Sequence, residues 1–307
     1  VHIFSASSNK WVEIKMVLSL PICIINLRMC SFWLGSSPSV GSSSSKISGL
    51  LKMLCANPTR RKYPLERVSI FCSKTFSILA SLIAFSISAF FDSGAISEND
   101  TFYCDGIYEK KTSSGERIKI TCLDHHGWIT AREALKFSCN DALAQMSEKI
   151  ESEQFLSRLR SFGFGSKTGV ELPGETAGAV RNTSDRFWSA RSKPTIAIGQ
   201  EISVSALQMV EAATAIANGG IPVQLTLIKK ITNQAGIEEY THSPNFKPQI
   251  INGQTSRYIL SCMQTVAQTG TGSRANLSDI SIGVKTGTAQ MADPVNGGYS
   301  KTDFISN

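Results

Sequence analysis

The chain has 307 residues, 42% hydrophobic and 18% charged, ordinary for a globular protein and long enough for one large domain or two small ones. Of its 31 basic and 24 acidic residues, ten and two lie in residues 1–91, which leaves 21 and 22 for residues 92–307. The formal +7 therefore belongs to the first third, and with no aromatic-interleaved basic patch in the remainder, no nucleic-acid partner is expected.

Residues 1–75 show no sustained period of 2 or 3.6, and residues 36–48 form a Ser/Gly-rich run of disordered type. Residues 16–27 are uncharged but too short to cross a bilayer, contain Pro21 and lack a clear small-residue cleavage site. The apolar, serine-rich residues 76–91 approach transmembrane length, with a buried core helix as the favoured reading. Residues 101–104 and 117–122 are β-type runs around a polar loop, predicting a hairpin that brings Cys104 and Cys122 together. Thr130 and Glu133 have capping-box spacing, and Leu135, Leu143, Met146 and Ile150 continue an amphipathic helical pattern. Residues 155–162 predict a helix ended by Gly163, Pro173-Gly174 a tight turn, and Trp188 a packing residue. Residues 203–206 cap a long helix with Leu207, Val210, Ala213 and Ala217 as its core stripe, stopped by Asn218-Gly219-Gly220 in left-handed geometry. A strand over 223–231 and a helix over 255–266 follow, and then a loop leads to the alternating Ile280-Ser281-Ile282-Gly283, which predicts a strand.

That strand runs into Val284-Lys285-Thr286-Gly287-Thr288-Ala289-Gln290. Side chains alternate along a strand, so Lys285 and Gly287 fall on one face, Thr286 and Thr288 on the other. If this is an edge facing a cleft, an extended peptide can pair with it, and Gly287 lets that ligand lie close. Thr288 offers a hydroxyl to a carboxylate and an N–H to an oxyanion, while Lys285 raises the local positive potential. Upstream, Ser138-Cys139-Asn140 forms an S-x-N triplet near a helix junction. Its hydroxyl can relay a proton and its amide can hold a substrate backbone amide. Each motif alone is common, and most S-x-N triplets are turns or caps.

Together, and in this order, they resemble the transpeptidase domain of class B penicillin-binding proteins. Further phrases carry the resemblance: Ser93-Gly94-Ala95-Ile96, His126-Gly127, Phe162-Gly163-Phe164-Gly165, Thr168-Gly169-Val170-Glu171-Leu172-Pro173-Gly174-Glu175, Ala197-Ile198-Gly199-Gln200-Glu201, Ala217-Asn218-Gly219-Gly220 and Thr269-Gly270-Thr271-Gly272. The resemblance implies an α/β (α+β) fold, a penicillin-binding, serine β-lactamase-like antiparallel sheet sandwiched by helices, here incomplete at the C-terminus. It implies D,D-transpeptidation in cell-wall cross-linking, with Ser138 and Lys285 in catalytic roles and Asn140, Thr286, Gly287 and Thr288 binding substrate. The implied partners are the peptidoglycan stem peptide ending in D-Ala-D-Ala, β-lactams and cell-wall synthesis machinery. The implied location is the outer face of the cell membrane, although the chain carries no convincing anchor. No cofactor and no metal is expected.

One part of the family pattern is missing. The nucleophile motif S-x-x-K belongs where this chain has Ala80 and Ile83, and no Lys or Arg lies between Lys74 and Lys110. The matches at Ser7 to Lys10 and Ser43 to Lys46 lie far from that position. Residues 1–84 are therefore read as an unassigned leader, out of frame or low in complexity, and residues 85–307 as a partial transpeptidase domain. The expected product is inactive, and a non-catalytic β-lactam- or peptide-binding pseudoenzyme or a degenerate fragment is the alternative. Ending soon after its K-T-G, the strand that carries Lys285 is expected to be an exposed edge. For Cys104 and Cys122, with His125 and His126 close behind, a zinc site is conceivable. A disulfide or two small buried residues is favoured, because the spacing is not C-x-x-C.

Overall fold

The computed structural model describes residues 2–5, 10–14, 82–113, 115–171, 174–233, 235–279, 281–292 and 299–306. The expected nucleophile position, Ala80, lies outside these residues, as does Pro173. In chain order the elements are β1 (His2–Ser5), β2 (Lys10–Ile14), α1 (Leu82–Asp92), β3 (Thr101–Cys104), β4 (Ile107–Lys111), β5 (Arg117–Thr121) and β6 (Gly127–Thr130). There follow α2 (Ala131–Phe137), α3 (Asn140–Ser147), α4 (Ser152–Ser161), α5 (Ser192–Ala197) and α6 (Ala206–Ala217). The last are β7 (Ile228–Asn233), β8 (Glu238–Thr241), α7 (Gly253–Thr269), β9 (Thr288–Ala292) and β10 (Tyr299–Ser306). This is the expected α/β mixture, with every strand pair antiparallel.

The chain divides into two units. The smaller holds a four-stranded sheet of order β1-β2-β7-β8. Here Glu171 accepts from the Thr226 hydroxyl at 2.7 Å and the Leu227 N–H at 3.0 Å. The predicted strand over 223–231 begins only at Ile228, because those two bonds occupy Thr226 and Leu227 in a turn.

The larger unit is built around α1. Its residues Leu82 to Phe90 are all buried, as a helix apolar on most faces must be in a core, and among them the Ser88 hydroxyl donates to Ala84 O at 2.7 Å. Phe85 meets the rings of Phe162 and Phe164 at 5.1 and 5.3 Å, and Phe90 meets Phe155 at 5.1 Å. At the end of α1, Asp92 pairs with Arg158 of α4 at 2.7 Å and accepts the Asn252 N–H at 2.7 Å. One carboxylate thus ties three helices together.

Several local expectations are corrected. The hairpin is β4 with β5, whereas β3 pairs with β6, so Cys104 and Cys122 are neighbours without sharing a ladder. Both are free thiols and no disulfide joins them. The helical pattern from Leu135 to Ile150 is two helices, broken at Ser138, which is left-handed at φ 55°. On α6 the buried face is Gln208, Glu211, Ala212, Thr214, Ala215 and Ile216 rather than the predicted apolar stripe. Polar partners explain this: the Gln208 amide donates to the carbonyls of Gly163, Ser166 and Ala177, and Glu211 pairs with Lys247 at 2.5 Å. Finally, β9 begins at Thr288, after the K-T-G rather than through it, and β10 covers one of its edges. The exposed-edge expectation fails on that side because the chain returns antiparallel. No helix among the described residues is long and apolar enough to cross a membrane.

Candidate active site

Two walls meet at Ser138 and Lys285. The first is the junction of α2 and α3. The predicted capping box opens α2: Thr130 caps the Glu133 N–H and Glu133 returns to the Thr130 N–H. Ala131, Ala134 and Leu135 turn into the core. Arg132, on another face, donates to Ser261 at 3.0 Å and Thr265 at 3.2 Å and lies 5.1 Å from the Tyr258 ring, fastening α2 to α7. The left-handed Ser138 ends α2, at a backbone cost of about 1–2 kcal/mol for a residue with a Cβ. Cys139 then caps α3, accepting the Ala142 N–H at 3.4 Å. Asn140 donates through Nδ2 to the Thr121 carbonyl of β5 at 3.1 Å, which fixes its amide.

The second wall hangs from α7. The Val284 N–H donates to Met263 O at 3.1 Å, and the Thr271 N–H donates to Lys136 O at 3.3 Å. Two glycines permit this approach. A Cβ on Gly270 would stand 2.8 Å from Val266 Cα and 2.9 Å from Lys136 O, and one on Gly272 would stand 2.2 Å from Val284 Cγ2. Beyond them, the hydroxyls of Thr271 and Thr286 share a hydrogen bond of 2.8 Å. Thr271 belongs to a phrase singled out in the sequence, but its pairing with Thr286 was not foreseen. The Thr-Gly-Thr-Gly pattern was the available signal.

Across the gap, Lys285 Nζ donates to Ser138 Oγ at 2.7 Å and to its neighbour's carbonyl, Thr286 O, at 2.6 Å. The two residues are 147 positions apart in sequence. Burial pushes the Lys285 ammonium down from an ordinary 10.5 to about 8, since removing a cation from water disfavours the charged form. Near neutral pH the pair can therefore hold or release a proton at Nζ. Gly287 is buried beside this pair in sequence. Thr288 opens β9, and its side chain lies outside the described residues. The structure thus joins Ser138 to Lys285 directly, ties Asn140 to β5, and directs Thr286 to Thr271.

Comparison with known proteins shows the family and the fold. The family model of the penicillin binding protein transpeptidase domain matches residues 84–307. Stage V sporulation protein D of Bacillus subtilis is 33% identical over 218 residues, covering 68% of this chain and 31% of the relative. Penicillin-binding protein PbpB of Mycolicibacterium smegmatis is 29% identical over 234 residues, covering 70% and 36%. Among solved structures, penicillin-binding protein 3 of Mycobacterium tuberculosis complexed with aztreonam superposes with a TM-score of 0.66 at 27% identity, covering 76% of this chain and 52% of the other. The chain belongs to the penicillin-binding protein transpeptidase family, and its relatives are class B members. It spans about a third of the length of the curated relatives it matches.

Proposed function

We propose that this chain presents the substrate-binding walls of a peptidoglycan D,D-transpeptidase, active in cell-wall cross-linking elsewhere in the family, without the serine that would be acylated. The observation that carries the reading is the 2.7 Å contact between Lys285 and Ser138, which brings the S-x-N and K-T-G motifs to one place. In the proposed roles, Lys285 and Ser138 hold and relay a proton. The donor carboxylate is held by Thr286 and Thr288, Gly287 leaves room for the peptide backbone, and the Oδ1 atom of Asn140 receives a substrate N–H. The ligands are a stem peptide ending in D-Ala-D-Ala and β-lactams, met on the outer face of the membrane in the company of cell-wall synthesis machinery.

Without an activated nucleophile the covalent route is closed, and the remaining binding groups do not replace it. Incubation of the full chain with a fluorescent penicillin, followed by denaturing electrophoresis, tests this. The expected outcome is no covalent band while reversible binding of the same probe is measurable by anisotropy. An adduct mapped to Ser7 or Ser43 would restore a nucleophile. An adduct on Ser138 would make the Ser138–Lys285 pair itself the acylating dyad.

A further inference from the structure

Three cysteines from separate elements converge on one histidine. Cys104 closes β3, Cys122 follows β5, His126 precedes β6, and Cys139 stands at the cap of α3. Their four potential ligand atoms, three Sγ and one ring nitrogen, all lie within 4.8 Å of one another. His126 Nδ1 is 3.3 Å from the Cys104 Sγ and 3.7 Å from the Cys122 Sγ, and the Cys122 and Cys139 sulfurs are 3.7 Å apart.

These separations suit a metal better than a disulfide. A tetrahedral zinc bonds sulfur at about 2.3 Å and nitrogen at about 2.0–2.1 Å, which sets neighbouring ligand atoms about 3.5–3.8 Å apart. A disulfide brings its sulfurs to about 2 Å and would leave one of the three thiols over. The donor set is also selective. Three soft sulfurs and an imidazole match the Cys₃His composition of closed zinc sites and suit hard oxygen-seeking cations poorly. The three cysteines are buried, at 1%, 7% and 0% exposure, and His126 is half-buried, so the sulfur ligands are shielded from solvent as in a structural site. The surroundings orient the ligands as well. The His126 ring stacks on Phe137 at 5.1 Å and 12° between planes, and the Ala142 N–H already points at the Cys139 sulfur, where it would stabilise a thiolate.

We propose that Cys104, Cys122, Cys139 and His126, through Nδ1, form a structural zinc site. On binding, the three thiols release their protons to solvent and the imidazole coordinates as the neutral tautomer with its proton on Nε2. Cys139 is the middle residue of Ser138-Cys139-Asn140, so the metal pins the S-x-N wall to the ends of β3 and β5. Cys104, Cys122 and His126 could be grouped from the sequence, but the absence of a C-x-x-C pair favoured a disulfide or buried thiols there, and the fourth member, Cys139, carried no local signal.

The test is elemental analysis of the full chain purified without chelator, alongside cobalt substitution. The expected result is one zinc per chain, and a cobalt form with the intense visible bands of a tetrahedral thiolate complex. Cys104→Ser and His126→Ala should each weaken metal retention by about 100-fold or more, judged against the 10–100-fold typical of losing only a supporting contact. Cys262→Ser, which removes the buried thiol outside the cluster, should retain the metal. If the ligand variants fail to fold, the cobalt spectrum of the unaltered chain decides. Substoichiometric zinc, an octahedral cobalt spectrum, or a disulfide among the three cysteines would each overturn the assignment.

Discussion

The two walls of the cleft are held in opposite ways. The α2–α3 junction is embedded: Leu135, Ala134 and Cys139 are fully buried, and Arg132, Asn140 and the capping box anchor it on three sides. The Lys285 wall, by contrast, has no ladder of its own before Thr288. It is located by a few polar contacts, from Val284, Thr271, Thr286 and Lys285, and by two glycines that let α7 and α2 come close. One wall draws its position from the hydrophobic core, and the other docks onto it. Changes to the first should therefore unfold the unit, whereas changes to the second should mostly loosen the cleft.

The largest expected effect is on the embedded wall. Leu135→Ala leaves a cavity under the junction, and denaturant titration should show a loss of about 2–5 kcal/mol. An effect below about 1 kcal/mol would mean that the wall is not rooted in the core. Next comes the pH dependence of the docked wall. The native Lys285 pKa, about 8, is depressed below its ordinary 10.5, so folding pays to bury the charge at lower pH. Between those values the unfolded chain binds more protons than the native one, and stability rises with pH, by at most about 3 kcal/mol. Lys285→Met should remove that rise from the stability-versus-pH curve, and an unchanged slope would contradict the burial of the ammonium. Gly270→Ala should cost about 1–3 kcal/mol, because its Cβ meets backbone on both α7 and α2, and should weaken reversible β-lactam binding in the same samples. The smallest effect is that of Thr271→Val. Loss of one hydrogen bond to Thr286 should cost about 0.5–1.5 kcal/mol in thermal unfolding and lower ligand affinity without altering the fold.

The difference between the walls also explains what the sequence could say. Local devices were legible: the Thr130–Glu133 capping box, the helix over 255–266 inside α7, the stop at Asn218-Gly219-Gly220, and the S-x-N and K-T-G motifs. Their signals lie within a few residues, where spacing alone fixes geometry. What stayed hidden is non-local. Pairing of β3 with β6 rather than β5 depends on which strands share a buried face, and alternation in one strand does not name its partner. The buried face of α6 was misread because Gln208 and Glu211 look like solvent residues until the three carbonyls and Lys247 that satisfy them are in place. In the cysteine cluster, Cys104, Cys122 and His126 could be grouped from the sequence, whereas Cys139 was hidden for the same reason.

The contact between the walls can be weighed directly by a double-mutant cycle on Ser138→Ala and Lys285→Met, read as unfolding free energy at pH 7. The two substitutions are expected to be coupled by about 1 kcal/mol or more, as directly bonded partners are. Additive losses, with no coupling beyond about 0.3 kcal/mol, would show that the two motifs do not meet in solution.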